Sequence, residues 1–208
     1  MINLELFSTS SVVAAICRNA SSIGLAGHAR LLAIVLLSLF LPATALAQTQ
    51  LGADIDGEAA GDHFGYPVSL SSDGYRLAVS EPLSDGNGTD SGHVRVYQWS
   101  GTAWAQLGGN IDGEAAGDWS GHSISLSSDG YLLAIGAYQN DGNGDDAGHV
   151  RVYQWSGENW EQLGTDIDGE AVGDNFGYST SLSSDGNRLT VGANKSDGKG
   201  TSTGHVRA

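Results

Sequence analysis

His93-Val-Arg-Val-Tyr-Gln-Trp-Ser-Gly101 and His149-Val-Arg-Val-Tyr-Gln-Trp-Ser-Gly157 are the same nine residues, 56 positions apart. A third start, His205-Val-Arg207, follows after another 56. Working outward from this stretch, the whole chain from Gln50 onward divides into copies at 50–105, 106–161 and 162–208, the last incomplete. The first two copies share 37 of 56 residues with no insertion. A fixed period of this length marks a repeat architecture: one small unit cannot bury its apolar face alone and stacks on its neighbours.

Within the first copy, Phe64-Gly-Tyr-Pro-Val-Ser-Leu70 reads as a strand, and Ser71-Ser-Asp-Gly74 as the tight turn after it. Tyr75-Arg-Leu-Ala-Val-Ser80 alternates large apolar with small or polar residues, as a second strand does. A polar loop at 81–92 leads into His93-Val-Arg-Val-Tyr-Gln-Trp99, rich in β-branched and aromatic residues. After Ser100-Gly101, Ala103-Trp-Ala-Gln-Leu107 makes a fourth strand. No stretch of 48–208 carries a capped helical period. Four antiparallel strands per unit, repeated, describe a β-propeller blade, whereas β-solenoid coils are usually shorter. The expected fold is all-β: a partial β-propeller of about three four-stranded blades, with Trp99/Trp155 and Trp104/Trp160 filling the space between sheets.

Residues 1–47 differ in kind. Arg30 precedes the apolar run Leu31-Leu-Ala-Ile-Val-Leu-Leu-Ser-Leu-Phe-Leu41; Pro42 ends it, and Ala45-Leu-Ala47 supplies a small-x-small cleavage site. Such a charged flank, short apolar core and Ala-x-Ala end make a secretory signal peptide, cleaved after Ala47. This run of eleven residues falls short of the roughly 20 apolar residues that span a bilayer. Residues 48–208 then carry seven Lys+Arg against 23 Asp+Glu, with no cysteine. Disulfides are excluded there, so packing and sheet hydrogen bonds must hold the fold. That acidity also argues against nucleic acid or an anionic membrane as partner. The expected location is secreted, extracellular or periplasmic.

Gly61-Asp-His-Phe-Gly65 and Gly173-Asp-Asn-Phe-Gly177, each followed by a Gly-His-Val-Arg strand, resemble FG-GAP repeats. The Gly-Ala-Pro element is less well kept, as Ser80-Glu-Pro82, Gly136-Ala-Tyr138 and Gly192-Ala-Asn194, and the second copy has Trp119-Ser-Gly121 in place of Phe-Gly. The family includes the ligand-binding propeller of integrin α subunits. The resemblance implies a propeller, integrin-like, used in extracellular binding or cell adhesion.

The same resemblance implies a calcium loop between the first two strands, but here that loop has shrunk to Ser71-Ser-Asp-Gly74, with one carboxylate. Ca²⁺ wants six to eight oxygens, so no cofactor and no metal ligand is assigned. Two acidic clusters remain. Asp85, Asn87 and Asp90 recur as Asp141, Asn143, Asp145 and Asp146, whereas the third copy has Lys199 and Ser202. Asp54, Asp56, Glu58 and Asp62 recur as Asp112/Glu114/Asp118 and Asp166/Asp168/Glu170/Asp174. Asp-Gly turn chemistry explains both, with Ca²⁺ as the alternative.

His93, His149 and His205 occupy one position in every copy, which points to a packing or hydrogen-bonding task common to all. No G-x-S-x-G, H-E-x-x-H or Walker loop is present. No catalytic residue is assigned, and the chain is expected not to be an enzyme. Trp119 occurs once, where the other copies have His63 and Asn175. A single core substitution explains it; stacking on a sugar face is the alternative. Asn87-Gly-Thr89 and Asn194-Lys-Ser196 match a glycosylation sequon, which matters only in a eukaryotic secretory pathway.

The expected function is therefore an exported, non-catalytic binding or adhesion module for an extracellular protein or glycan, part of a larger propeller. A lectin-like propeller and the non-catalytic part of a longer secreted hydrolase are the alternatives. Three blades are too few for an ordinary ring, so exposed blade edges would favour self-association.

Overall fold

The described residues form three antiparallel sheets, one centred on each repeat copy, and the sheets stack in chain order. The computed structural model describes residues 49–208 apart from Lys199; the expected leader at 1–47 lies outside the described residues. The first sheet contains β1 (Val68–Leu70), β2 (Arg76–Glu81), β3 (His93–Trp99), β4 (Trp104–Gln106) and β5 (Ile111–Asp112). The second contains β6 (Ser123–Leu126), β7 (Leu132–Ala137), β8 (His149–Trp155), β9 (Trp160–Gln162) and β10 (Ile167–Asp168). The third holds β11 (Phe176–Leu182), β12 (Leu189–Ala193) and β13 (His205–Arg207). Among the described residues there is no helix, and hence none long and apolar enough to cross a membrane.

The order β1-β2-β3-β4 is that of a propeller blade. The first strands of successive sheets (β1, β6, β11) approach one another, so these strands are the inner ones. Two details differ from expectation. The first strand is Val68–Leu70 and not the whole of 64–70; Pro67 has no N–H for the ladder, though its carbonyl accepts from Ser80 N at 3.1 Å, and the proline-free β6 begins one residue earlier, at Ser123. In the third unit, which lacks that proline, β11 runs the full Phe176–Leu182 with a bulge after Phe176. The fourth position is also broken in two. β4 pairs with Tyr97–Trp99 of β3, Leu107 N donates to Val96 O at 2.7 Å, and β5 resumes pairing at His93 and Val94. Ile111 and Asp112, the sixth and seventh residues of the second sequence copy, thus close the first sheet.

The core lies between sheets. Ala78, Val94 and Val96 from the first meet Ile124, Leu126, Leu133 and Ile135 from the second. Phe176, Val191 and Ala193 of the third meet Ala134 and Val150 of the second. Serines fasten the same interfaces: Ser80 Oγ donates to Gly121 O and Ser123 Oγ to Gly177 O, both at 2.7 Å. Leu126 N donates to Ser69 Oγ at 3.0 Å and Leu182 N to Ser125 Oγ at 2.9 Å, repeating the link one blade on.

The tryptophan pairs do pack, at ring separations of 5.3 Å (Trp99–Trp104) and 5.5 Å (Trp155–Trp160). Each pair covers a glycine of the preceding segment, Gly52 and Gly108 respectively, and Trp160 Nε1 donates to Leu107 O at 3.0 Å. Residues 50–54 form no strand and lie at Gly52 against the first blade's indoles.

Candidate functional site

Ahead of each inner strand the chain makes two left-handed steps. His63, Trp119 and Asn175 have φ of 59°, 53° and 54°, and Gly65, Gly121 and Gly177 are also positive. Asn accepts that conformation readily; a bulky Trp does so at a cost, and such outliers gather at functional sites. The double step delivers one residue per blade to an equivalent place at the mouth of the inner strands: Tyr66, His122 and Tyr178.

These residues form a row. His122 stands between Tyr66 at 6.0 Å and Tyr178 at 4.8 Å, centroid to centroid. Tyr138, from the loop after β7, lies 4.4 Å from His122, 5.5 Å from Tyr178 and 5.8 Å edge-on from Trp119. Tyr66 is 59% exposed and Tyr178 42%, while Trp119, His122 and Tyr138 are half-buried. Trp119 belongs to neither apolar cluster, so it is part of this row and not a core substitution. Burial pushes the His122 imidazole below its ordinary pKa and the Tyr138 phenol above its own, keeping both neutral at pH 7. His122 Nδ1 is buried without a hydrogen-bond partner. A row of rings with exposed members at both ends can take the apolar face of a ligand. The sequence reading reached Trp119 alone; the signal for the rest was that Tyr66, His122 and Tyr178 share one repeat position.

The acidic clusters resolve differently. In the shortened turn, Ser71 Oγ donates to Asp73 Oδ1 at 2.6 Å and Tyr75 N to the same oxygen at 2.9 Å; Ser127/Asp129 and Ser183/Asp185 repeat this. These hydrogen bonds hold the three carboxyls below their ordinary pKa, Asp185 at about 2. In the second loop, Asp85 Oδ1 accepts from Asp90 N at 2.9 Å, and Asn87 Nδ2 reaches across to Gly113 O at 2.7 Å. Asp141, Asp146, Asn143 and Gly169 copy that arrangement. In the third cluster Asp118 is buried and accepts from Ala115 N and Asn140 Nδ2, and Asp174 accepts from Ala171 N. These hydrogen bonds tie the named carboxylates into their own loops.

Glu58, Glu114 and Glu170 each pair with the arginine of their own blade, Arg95, Arg151 and Arg207, at 3.3, 3.3 and 2.8 Å. The repeated histidines are less uniform than the sequence implies. His93 Nδ1 meets Ser84 Oγ at 2.8 Å and its Nε2 meets Glu81 Oε1 at 2.9 Å, with Arg95 also on Glu81. Ser84, His93 and Glu81 line up as in a hydrolase triad, but each is at most 3% exposed, which closes Ser84 to any substrate. Sequence reasoning missed this network because Glu81 stands where the other copies have Ala137 and Ala193. Among the described residues, His149 is the one histidine that joins two carboxylates, Glu114 and Asp166, in a group with metal-ligand spacing.

A family model described as FG-GAP repeat matches residues 51–97 and 112–153. The first match ends in β3 and the second in β8, at the repeat-equivalent tyrosines Tyr97 and Tyr153. No curated protein matches the chain. With the Phe-Gly turns and the stacked antiparallel sheets beside these matches, residues 51–97 and 112–153 are FG-GAP repeats.

Proposed function

We propose that this protein is an exported, non-catalytic binding module that takes its ligand on the row Tyr66, Trp119, His122, Tyr138 and Tyr178. The observation that carries this reading is the row itself: five rings from three blades in mutual contact, two of them substantially exposed. Aromatic faces pack on the C–H faces of sugars, and Tyr66 and Tyr178 present exposed rings for that contact. A glycan is therefore the favoured ligand, with an extracellular protein, as in adhesion, the second reading. The apolar run at 31–41 and the cysteine-free, acidic remainder support export. The buried state of Ser84, His93 and Glu81 supports a role without catalysis.

The binding unit extends past three blades in this reading. Val68 and Leu70 are 58% and 57% exposed, whereas their repeat equivalents Ile124 and Leu126 are at most 9% exposed against the first sheet. A further blade would cover them in the same way. Glycan-array binding of the full chain beside its Tyr138→Ala variant tests the proposal. Array signal lost in the variant is expected; signal on no glycan removes the sugar reading, and an equal signal from the variant removes the site.

A further inference from the structure

The second blade departs from the first at four positions around one histidine. Ala137 replaces Glu81, Asn140 replaces Ser84, Ser120 replaces Phe64, and Asp166 replaces Asn110. In the first blade Glu81 and Ser84 hold both ring nitrogens of His93. In the second those partners are gone. His149 is 1% exposed, its Nδ1 faces Glu114 Oε2 at 3.9 Å and Asp166 Oδ2 at 4.0 Å, and both distances are too long for hydrogen bonds. No side-chain hydrogen bond to this imidazole is found among the described residues, and it lies buried beside two carboxylates.

Each carboxylate is already oriented by its other oxygen. Glu114 Oε1 is held by Arg151 Nη1 at 3.3 Å, and Asp166 Oδ1 accepts from Gln162 Nε2 at 2.7 Å. Outer partners that fix one oxygen and leave the second free are the usual support of metal-bound carboxylates. Ser120 enlarges the space. Its third-blade equivalent, Phe176, lies beneath Arg207 at 4.4 Å and 6.4 Å from His205, so a serine in that place leaves room beside Arg151 and His149. Ser120 is fully buried and its Oγ has no partner.

We propose that Glu114, His149 and Asp166 bind one divalent transition-metal ion of the zinc class, with water completing the shell. The three ligand atoms lie within 4.8 Å of one another. Zinc bonded at about 2.0–2.2 Å to nitrogen and oxygen needs ligand atoms roughly 3.3–3.6 Å apart, a closure of about half an ångström or more that the two partly exposed carboxylates can make. One imidazole with two carboxylates suits zinc or a similar ion; Ca²⁺ and Mg²⁺ prefer oxygen alone. The opposing charge is Arg151, which stays on Glu114 Oε1 and on Asp112 O at 3.0 Å and leaves the His149-facing oxygens free.

The site is separate from the aromatic row, and its test needs no ligand of that row. Calorimetric titration of ZnCl₂ into the untagged full chain should saturate at one ion per chain, and Co²⁺ should give a visible absorption band that Zn²⁺ bleaches. Asp166→Asn and Glu114→Gln, both at solvent-facing side chains, should each weaken binding about tenfold or more with unchanged circular dichroism. His149→Gln should abolish it; if that variant does not fold, the two carboxylate variants decide. No saturable Zn²⁺ binding, equal binding by both carboxylate variants, or equal displacement by Ca²⁺ would each overturn the proposal.

Discussion

His122 and Tyr138 lie 4.4 Å apart, ring centre to ring centre, at 62° to one another, and they join the rings of three blades into one row. Tyr138 also touches Trp119 and Tyr178, so it is the hub. Each such contact contributes about 0.5–1.5 kcal/mol beyond area burial. Tyr138→Ala should lower stability in urea denaturation by about 2–3 kcal/mol. A loss under about half a kcal/mol would mean that the rings merely sit side by side.

Glu81 is fully buried and bonded to both His93 and Arg95. Removing one member of a buried charged group leaves the others uncompensated, at a cost of about 3–5 kcal/mol. Glu81→Ala should show that loss in a denaturant melt. A neutral result would show that the space relaxes as it does around Ala137 in the second blade.

Asp185 is held at about 2 by Ser183 Oγ and the side chain and backbone N–H of Asn187, against an ordinary value of 3.8. Its pKa is lower folded than unfolded, so its stabilising effect is complete above the unfolded value and is lost as pH falls through about 2. Asp73 and Asp129 shift in the same direction through Ser71 and Ser127. Carboxyl NMR titration should therefore place Asp185 near 2, and Ser183→Ala should move it back toward 3.8. An Asp185 midpoint near 3.8 in the unaltered chain would refute the turn chemistry.

Gly92 and Gly148 hold the blades close together. At Gly148, φ is +75° and an added Cβ would strike the Phe176 and Tyr138 carbonyls; Gly92 meets Ser120 and Pro82 in the same way. Gly148→Ala forces backbone apart on both counts and should cost about 3 kcal/mol in thermal or urea unfolding. Little change would show that the second and third sheets can slide.

Sheet assignment was legible because the strand signals are local: β2 and β3 fall where alternation and β-branched residues place them. The resemblance to FG-GAP repeats was legible for the same reason, since turn glycines are read directly. The broken fourth strand was not, because β5 is two residues of otherwise loop-like sequence that pair only once Val94 is in place. The aromatic row escaped because its members come from different blades and only stacking brings them together. Likewise, the shared histidine position hid opposite environments: His93 is saturated by Glu81 and Ser84, whereas His149 has lost both.

Exposed Val68 and Leu70 on one outer sheet face, together with 72% exposed Val206 on the third sheet, should drive copies of this chain to associate face to face. Sedimentation velocity over a range of concentrations should show a reversible larger species that Val68→Lys weakens. A monomer at every concentration would leave the face to a different partner.

Where a ligand touches the protein is the most direct measure of the proposed function. Aromatic ¹³C–¹H NMR spectra of the chain, titrated with the strongest glycan from the array, should shift Tyr66, Trp119, His122, Tyr138 and Tyr178 together and leave Trp99, Trp104, Trp155 and Trp160 in place. Shifts at those four packed indoles with none in the row would contradict it.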